Sequence, residues 1–272
     1  IIEDLIRLDN LIYNWNIKGI RGATGTYEAM LKLFDGDFSK VKNFQISVSE
    51  KLDIGITELV PGQTAHRSMD VELLSCFTSL GNNLAKFATD LRHLARTGEI
   101  GEPRGKNQVG SSAMPWKQNP MKAERLNSLA RTLPGFKLMA DMTQQVQGLE
   151  RTLDDSAGRR IYMPESFLVV DACLRLATEL MEGLNVFENV VETRLNKMLP
   201  FLATEEILSL AVKQGAPRQE THHIIMEECK VVWANIANCI TSDNELISRL
   251  QNGGYKEFEG VIFPEQLDSM NY

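Results

Sequence analysis

Leu73, Phe77, Leu80, Leu84, Phe87, Leu91 and Leu94 recur in alternating steps of four and three. This spacing keeps apolar side chains on one face of a helix and conflicts with the two-residue repeat of a strand. No proline interrupts residues 64–97, and only Gly81 is a weak helix former there. At 1.5 Å per residue such a helix runs about 50 Å, too long to bury its stripe without partner helices. The seam therefore predicts an all-α, long-helix bundle. It can serve as an ordinary bundle helix or as the core of a bundle between subunits.

Other segments carry the same period. Asn119 reads as an N-cap with Pro120 at the first helical position, followed by Met121, Leu126, Leu129 and Leu133. Pro134-Gly135 should kink or break that helix, and Phe136, Met139, Met142 and Val146 extend its apolar pattern. A third long helix is expected from about Pro164 to Gly183. Shorter ones are expected at 27–34, 39–52, 188–198, 204–213, 219–240 and 243–250. No hairpin signal stands out, and residues 253–272 read as irregular.

The texture changes near Asn185-Val186, from long helices to short ones separated by Leu199-Pro200 and Gly215-Ala216-Pro217. We expect two domains: residues 1–186, a central long-helix bundle, and residues 187–272, a smaller helical domain.

Composition narrows function. The 272 residues are 43% hydrophobic and 24% charged, which fits a folded globular chain rather than a disordered one. With 29 basic and 36 acidic residues the net charge is −7, which disfavours nucleic acid and anionic membranes as partners. An anionic ligand then requires a local cationic pocket. Cys76, Cys173, Cys229 and Cys239 form no CxxC pair, so neither a disulfide framework nor a zinc knuckle is expected. Reduced thiols fit a cytoplasmic setting. No cofactor is expected. The chain opens Ile1-Ile2-Glu3 without a methionine, so we read it as part of a longer protein.

The segment from about 98 to 119 breaks the helical rhythm for about twenty residues, the length of a lid, a binding loop or a mobile linker. Gly101, Gly105 and Gly110 supply hinges. Ser111, Ser112, Lys117 and Asn119 supply polar groups, while Met114 and Trp116 are costly to leave in water.

Gly110-Ser111-Ser112-Ala113-Met114-Pro115-Trp116-Lys117-Gln118-Asn119-Pro120 resembles the signature loop of the fumarase/aspartase superfamily, whose pattern is GSSxMPxKxNP. Supporting stretches are Arg21 to Thr26, Pro61 to Thr64, Met121 to Arg125, Glu150 to Ala157, Arg159-Arg160 and Leu199 to Glu205. Within the superfamily they resemble the branch that eliminates fumarate from succinylated purine nucleotides. The resemblance implies an all-α fold, a homotetramer with active sites shared between subunits, and a small-molecule nucleotide substrate.

It also implies roles. Ser111 matches the base that removes a Cβ proton. A serine needs its alkoxide stabilised to do so, and Lys117 and the helix start near Asn119 are the nearest sources. Glu124 resembles a carboxylate that orients a catalytic histidine. Arg151, Ser156 and Arg160 match residues that bind the nucleotide and its phosphate, and Gln63 and Arg125 match further substrate contacts. Arginine suits that work because its planar fork bonds an oxyanion bidentately. Arg125 could instead pair with Glu124 or Asp154, and Arg159 could be a solvated surface charge. His66, His93, His222 and His223 match no catalytic pattern and no metal site is expected; the resemblance places the general-acid histidine before Ile1. Two other readings stand beside this one: a sister lyase acting on argininosuccinate or fumarate, and a helical oligomerisation scaffold that has lost catalysis.

Overall fold

The computed structural model describes residues 1–56, 62, 64–105, 113, 114, 116–149, 153–261 and 263. Among them the chain is all-α, with four strands of two residues each. It divides into two units, Ile1–Asn185 and Val186–Tyr272.

The first unit is organised by α4 (Ser68–Arg96). Its 29 residues make a rod of about 43 Å. α5 (Met121–Ala130), α6 (Leu133–Gln145) and α7 (Asp154–Glu182) pack around it. Because several helices surround one, the buried arc is wider than a coiled-coil seam. Leu73, Phe77, Leu80, Leu84 and Leu91 are buried, and a second stripe of Leu74, Gly81 and Ala88 is buried beside them. Leu94, at the far end, is 40% exposed. From Leu73 to Leu91 the buried seam positions are thus filled by helices of the same chain.

Gly81 has a specific task. A Cβ on it would lie 2.5 Å from Leu133 Cδ1, so glycine permits the close crossing of α4 and α6. The short helices α1 (Ile2–Tyr13), α2 (Glu28–Leu33) and α3 (Phe38–Leu52) precede α4. α1, which the apolar pattern did not single out, packs on α4 and buries Asp4. That carboxylate accepts from Ser79 Oγ at 2.7 Å and Asn83 Nδ2 at 2.6 Å. β1 (Asn16–Ile17) and β2 (Gly55–Ile56) form a parallel pair. β3 (Ile100–Gly101) and β4 (Asn185–Val186) are equally short.

The break foreseen at Pro134-Gly135 is present, whereas two other prolines depart from expectation. α5 ends at Ala130, before Pro134, and Pro134 starts α6 in the first turn, where its missing N–H costs nothing. Pro164 lies inside α7 rather than at its start, so the carbonyl of Arg160 loses its helical donor. Pro200 likewise lies inside α8 (Glu188–Leu202).

The second unit comprises α8, α9 (Thr204–Lys213), α10 (Arg218–Ala237) and α11 (Leu246–Asn252). Ala203, Ile207, Ala211, Ile225, Val232, Leu246 and Leu250 form its core. The stretch after Gly253 is less irregular than its composition implies: a 3-10 turn at Lys256–Phe258 delivers Phe258 and Phe263 into that core. Glu228 is buried there and accepts from Arg249 Nε at 2.5 Å and from the Tyr255 hydroxyl.

Candidate active site

The N-terminal ends of α4 and α7 lie together, and the charges at both ends are exchanged between them. Arg67, at the N-cap of α4, donates Nε and Nη2 to Asp155 Oδ2 at 3.0 and 2.7 Å. Arg159 of α7 reaches back, donating Nε to Asp70 Oδ2 at 2.6 Å and Nη2 to Asp70 Oδ1 at 3.0 Å. The Tyr162 hydroxyl also donates to Asp70 Oδ2, at 3.4 Å. Asp70 and Asp155 are buried and stand in the first turns of their helices, where the positive end of the helix dipole favours a carboxylate. Asp155 Oδ1 is buried without a hydrogen-bond partner among the described residues.

These bonds register as shifted acidities. The hydrogen bond to Asp70 raises the Arg159 pKa further above its ordinary value. Burial pushes the Tyr162 phenol up.

Beside the crossed pairs is a cavity of about 350 Å³ lined by Arg67, Ser156, Arg159, Arg160, Met163 and Pro164. Ser156 and Arg160, both expected at a substrate site, come together here. Ser156 Oγ donates to the Leu153 carbonyl at 3.0 Å and accepts from Arg160 Nη1 at 3.5 Å. Arg67 and Arg159 are each matched by an aspartate, whereas Arg160 makes no ion pair among the described residues. The cavity's surplus positive charge therefore resides on Arg160. Arginines, a hydroxyl and the thioether of Met163 suit an oxyanion next to a flat, apolar surface.

Arg159 is not a solvated surface charge, because both Asp70 oxygens hold its fork. Its partner is 89 residues away in sequence, which no local pattern shows. The Asp155/Arg159 spacing of four invites an intrahelical pair, yet both residues choose partners on α4.

The other expected residues stand apart from this cavity. Lys117 is exposed, and its backbone N–H donates to the Met114 carbonyl at 2.9 Å. Met114 and Trp116, expected to be sheltered, are 48% and 78% exposed in this chain. Glu124 and Arg125 are exposed on α5, and Arg125 pairs with neither Glu124 nor Asp154. Ser111, Gln63 and Arg151 lie outside the described residues.

The start of α5 also differs from expectation. Pro120, not Asn119, holds the N-cap position, and no side chain of its own caps the helix. Glu102 does so from a distance, accepting from Lys122 N at 2.8 Å and Ala123 N at 2.7 Å. Lys122 Nζ donates to the Pro103 carbonyl at 2.9 Å and to Glu179. The first amides of α5 are thus bound to a buried carboxylate. His66, His93, His222 and His223 do not line the cavity, and no metal-binding cluster occurs among the described residues.

A family model described as lyase matches residues 2–135. The adenylosuccinate lyase of Schistosoma mansoni is 39% identical over 98% of this chain and 55% of its own length. That of Saccharomyces cerevisiae is 38% identical over 99% of this chain and 55% of its own. Among solved structures, the 3-carboxy-cis,cis-muconate lactonizing enzyme from Pseudomonas putida superposes with a TM-score of 0.74 at 25% identity. The superposition covers 98% of this chain and 55% of that one. The chain belongs to the fumarase/aspartase superfamily of lyases. Within it, the curated relatives it resembles are adenylosuccinate lyases, and it spans about half their length.

Proposed function

We propose that the protein of which this chain is part is a cytoplasmic lyase that releases fumarate from adenylosuccinate, giving AMP. It acts likewise on the analogous succinyl-aminoimidazole-carboxamide ribotide. The observation that carries the reading is the meeting of Ser156 and Arg160 at one cationic cavity, with Arg160 free of any carboxylate among the described residues. A nucleotide monophosphate presents the dianion such a site takes.

In the proposed reaction Ser111 removes the Cβ proton, and the electron pair moves into the adjacent carboxylate as an aci-carboxylate. Its collapse forms the carbon–carbon double bond and breaks the carbon–nitrogen bond, and an acid protonates the departing nitrogen. Lys117 stabilises the Ser111 alkoxide electrostatically. Glu124 orients the acid, while Gln63, Arg125 and Arg151 complete the hold on the substrate. Exposed apolar side chains on α6 and α7, among them Leu138, Met142 and Leu168, support burial against further copies in a homotetramer.

Full-length protein given adenylosuccinate should release fumarate, and Ser111→Ala should abolish turnover while AMP still binds. Wild-type protein that produces no fumarate overturns the reading. If Ser112→Ala is the more damaging substitution, the base is the other serine.

A further inference from the structure

Each of α4 and α7 contributes one acid and one arginine to the crossed pairs, so the four charges cancel. Asp155 and Arg159 lie four residues apart on the α7 face turned to α4. Ser156 and Arg160 are each one residue further on, hence about 100° around the same helix. Holding the first face against α4 fixes the rotation of α7, and so fixes where the second face points. That second face lines the cavity. The pairs also join two chain segments nominated for substrate contact, since Gln63 precedes Arg67 by four residues and Arg151 precedes Asp155 by four.

We propose that Arg67 and Arg159 are positioning residues of the nucleotide site: through Asp155 and Asp70 they set the rotation of α7 that presents Ser156 and Arg160 to the substrate's phosphate. The inference rests on the proposed function for the identity of the anion. Asp70 and Asp155 have a second effect, because by neutralising two of the three guanidiniums they leave a single strong anchor. The anion is therefore drawn to Arg160 and not shared among alternatives. The phosphate is remote from the bond that breaks, so disturbing its anchor should weaken binding of ground and transition states alike.

The test uses full-length protein with Arg67→Lys and Arg159→Lys, which keep the charge and lose the fork. Arg175→Lys, in an exposed pair with Asp171 on α7, is the reference. Each of the first two should raise KM about tenfold with kcat within twofold, as expected for one lost charge-assisted hydrogen bond, and the reference should change neither. The Kd for AMP, from calorimetry, should weaken in parallel. Melting temperatures that fall while KM and Kd stay at wild-type values overturn the proposal, since the pairs are then merely structural. If a lysine variant does not fold, Asp155→Asn gives the same reading from its KM and Kd. Wild-type protein that binds AMP but releases no fumarate sinks the proposed reaction, and the Kd values still decide the positioning role. Wild-type protein that binds no AMP overturns both.

Discussion

Arg159 forks across both carboxylate oxygens of Asp70 at 2.6 and 3.0 Å, while its neighbour Arg160 has no carboxylate among the described residues. Two adjacent arginines thus serve different ends. Removing one partner of a pair whose acid is buried leaves that acid uncompensated, which costs on the order of 3 kcal/mol. Arg159→Ala should therefore lower the melting temperature measurably. Arg160→Ala should leave it nearly unchanged and raise KM by roughly ten- to a hundredfold. Both variants should raise KM, so thermal denaturation is what separates them; equal melting temperatures would contradict the assignment.

Glu102 supplies two hydrogen bonds to the first amides of α5 from twenty residues away. Glu102→Ala leaves those amides buried without a partner and should destabilise the protein by about 1–3 kcal/mol. Glu102→Gln keeps an acceptor oxygen and should lose less. Chemical denaturation midpoints of the three proteins check the order, and an alanine variant as stable as wild type refutes the cap.

Glu228 anchors the second unit's last segment. Burial alone would raise its pKa, but hydrogen bonds from Tyr255 and Arg249, with the charge of Arg249, hold it below the ordinary glutamate value of 4.5. A depressed folded-state pKa contributes stability at pH above the unfolded value and loses it as pH falls through the folded value. Glu228→Gln should thus be less stable at pH 7, and the difference should shrink below about pH 4. Urea midpoints across that range decide the matter: a difference that stays constant with pH contradicts this coupling.

Cys173 is buried in the core of the first unit, and burial pushes its thiol up to about 11. Cys239 is exposed. Thiolate is the reactive form, so an alkylating reagent at pH 7.5 should modify Cys239 readily and Cys173 only when the core opens. Peptide mapping over a time course checks this. Rapid native-state labelling of Cys173 would place it outside the core.

Much of the first unit was legible in order of residues alone. Leu73 to Leu91 announce a long helix because a period of 3.5 is a property of neighbours three and four apart, settled within each turn. The loop ending at Asn119-Pro120 carries the superfamily's pattern for the same reason: it is contiguous. Proline was a guide at Pro134, where one helix does give way to another, and misled at Pro164 and Pro200. Its cost depends on the turn it occupies, so Pro134 could open a helix and Pro164 and Pro200 could be carried inside one.

Sequence by itself determined the helical class, the apolar seam, the superfamily and the presence of Ser156 and Arg160 as candidates. Only the tertiary structure decided that Arg67 would face Asp155, that Arg159 would face Asp70, and that Glu102 would cap α5. Periodicity is written into separations of three and four residues, whereas these bonds join residues 88, 89 and 21 apart. Their partners are chosen by how α4, α5 and α7 pack, because a buried carboxylate must be met by whichever donor the fold brings within reach.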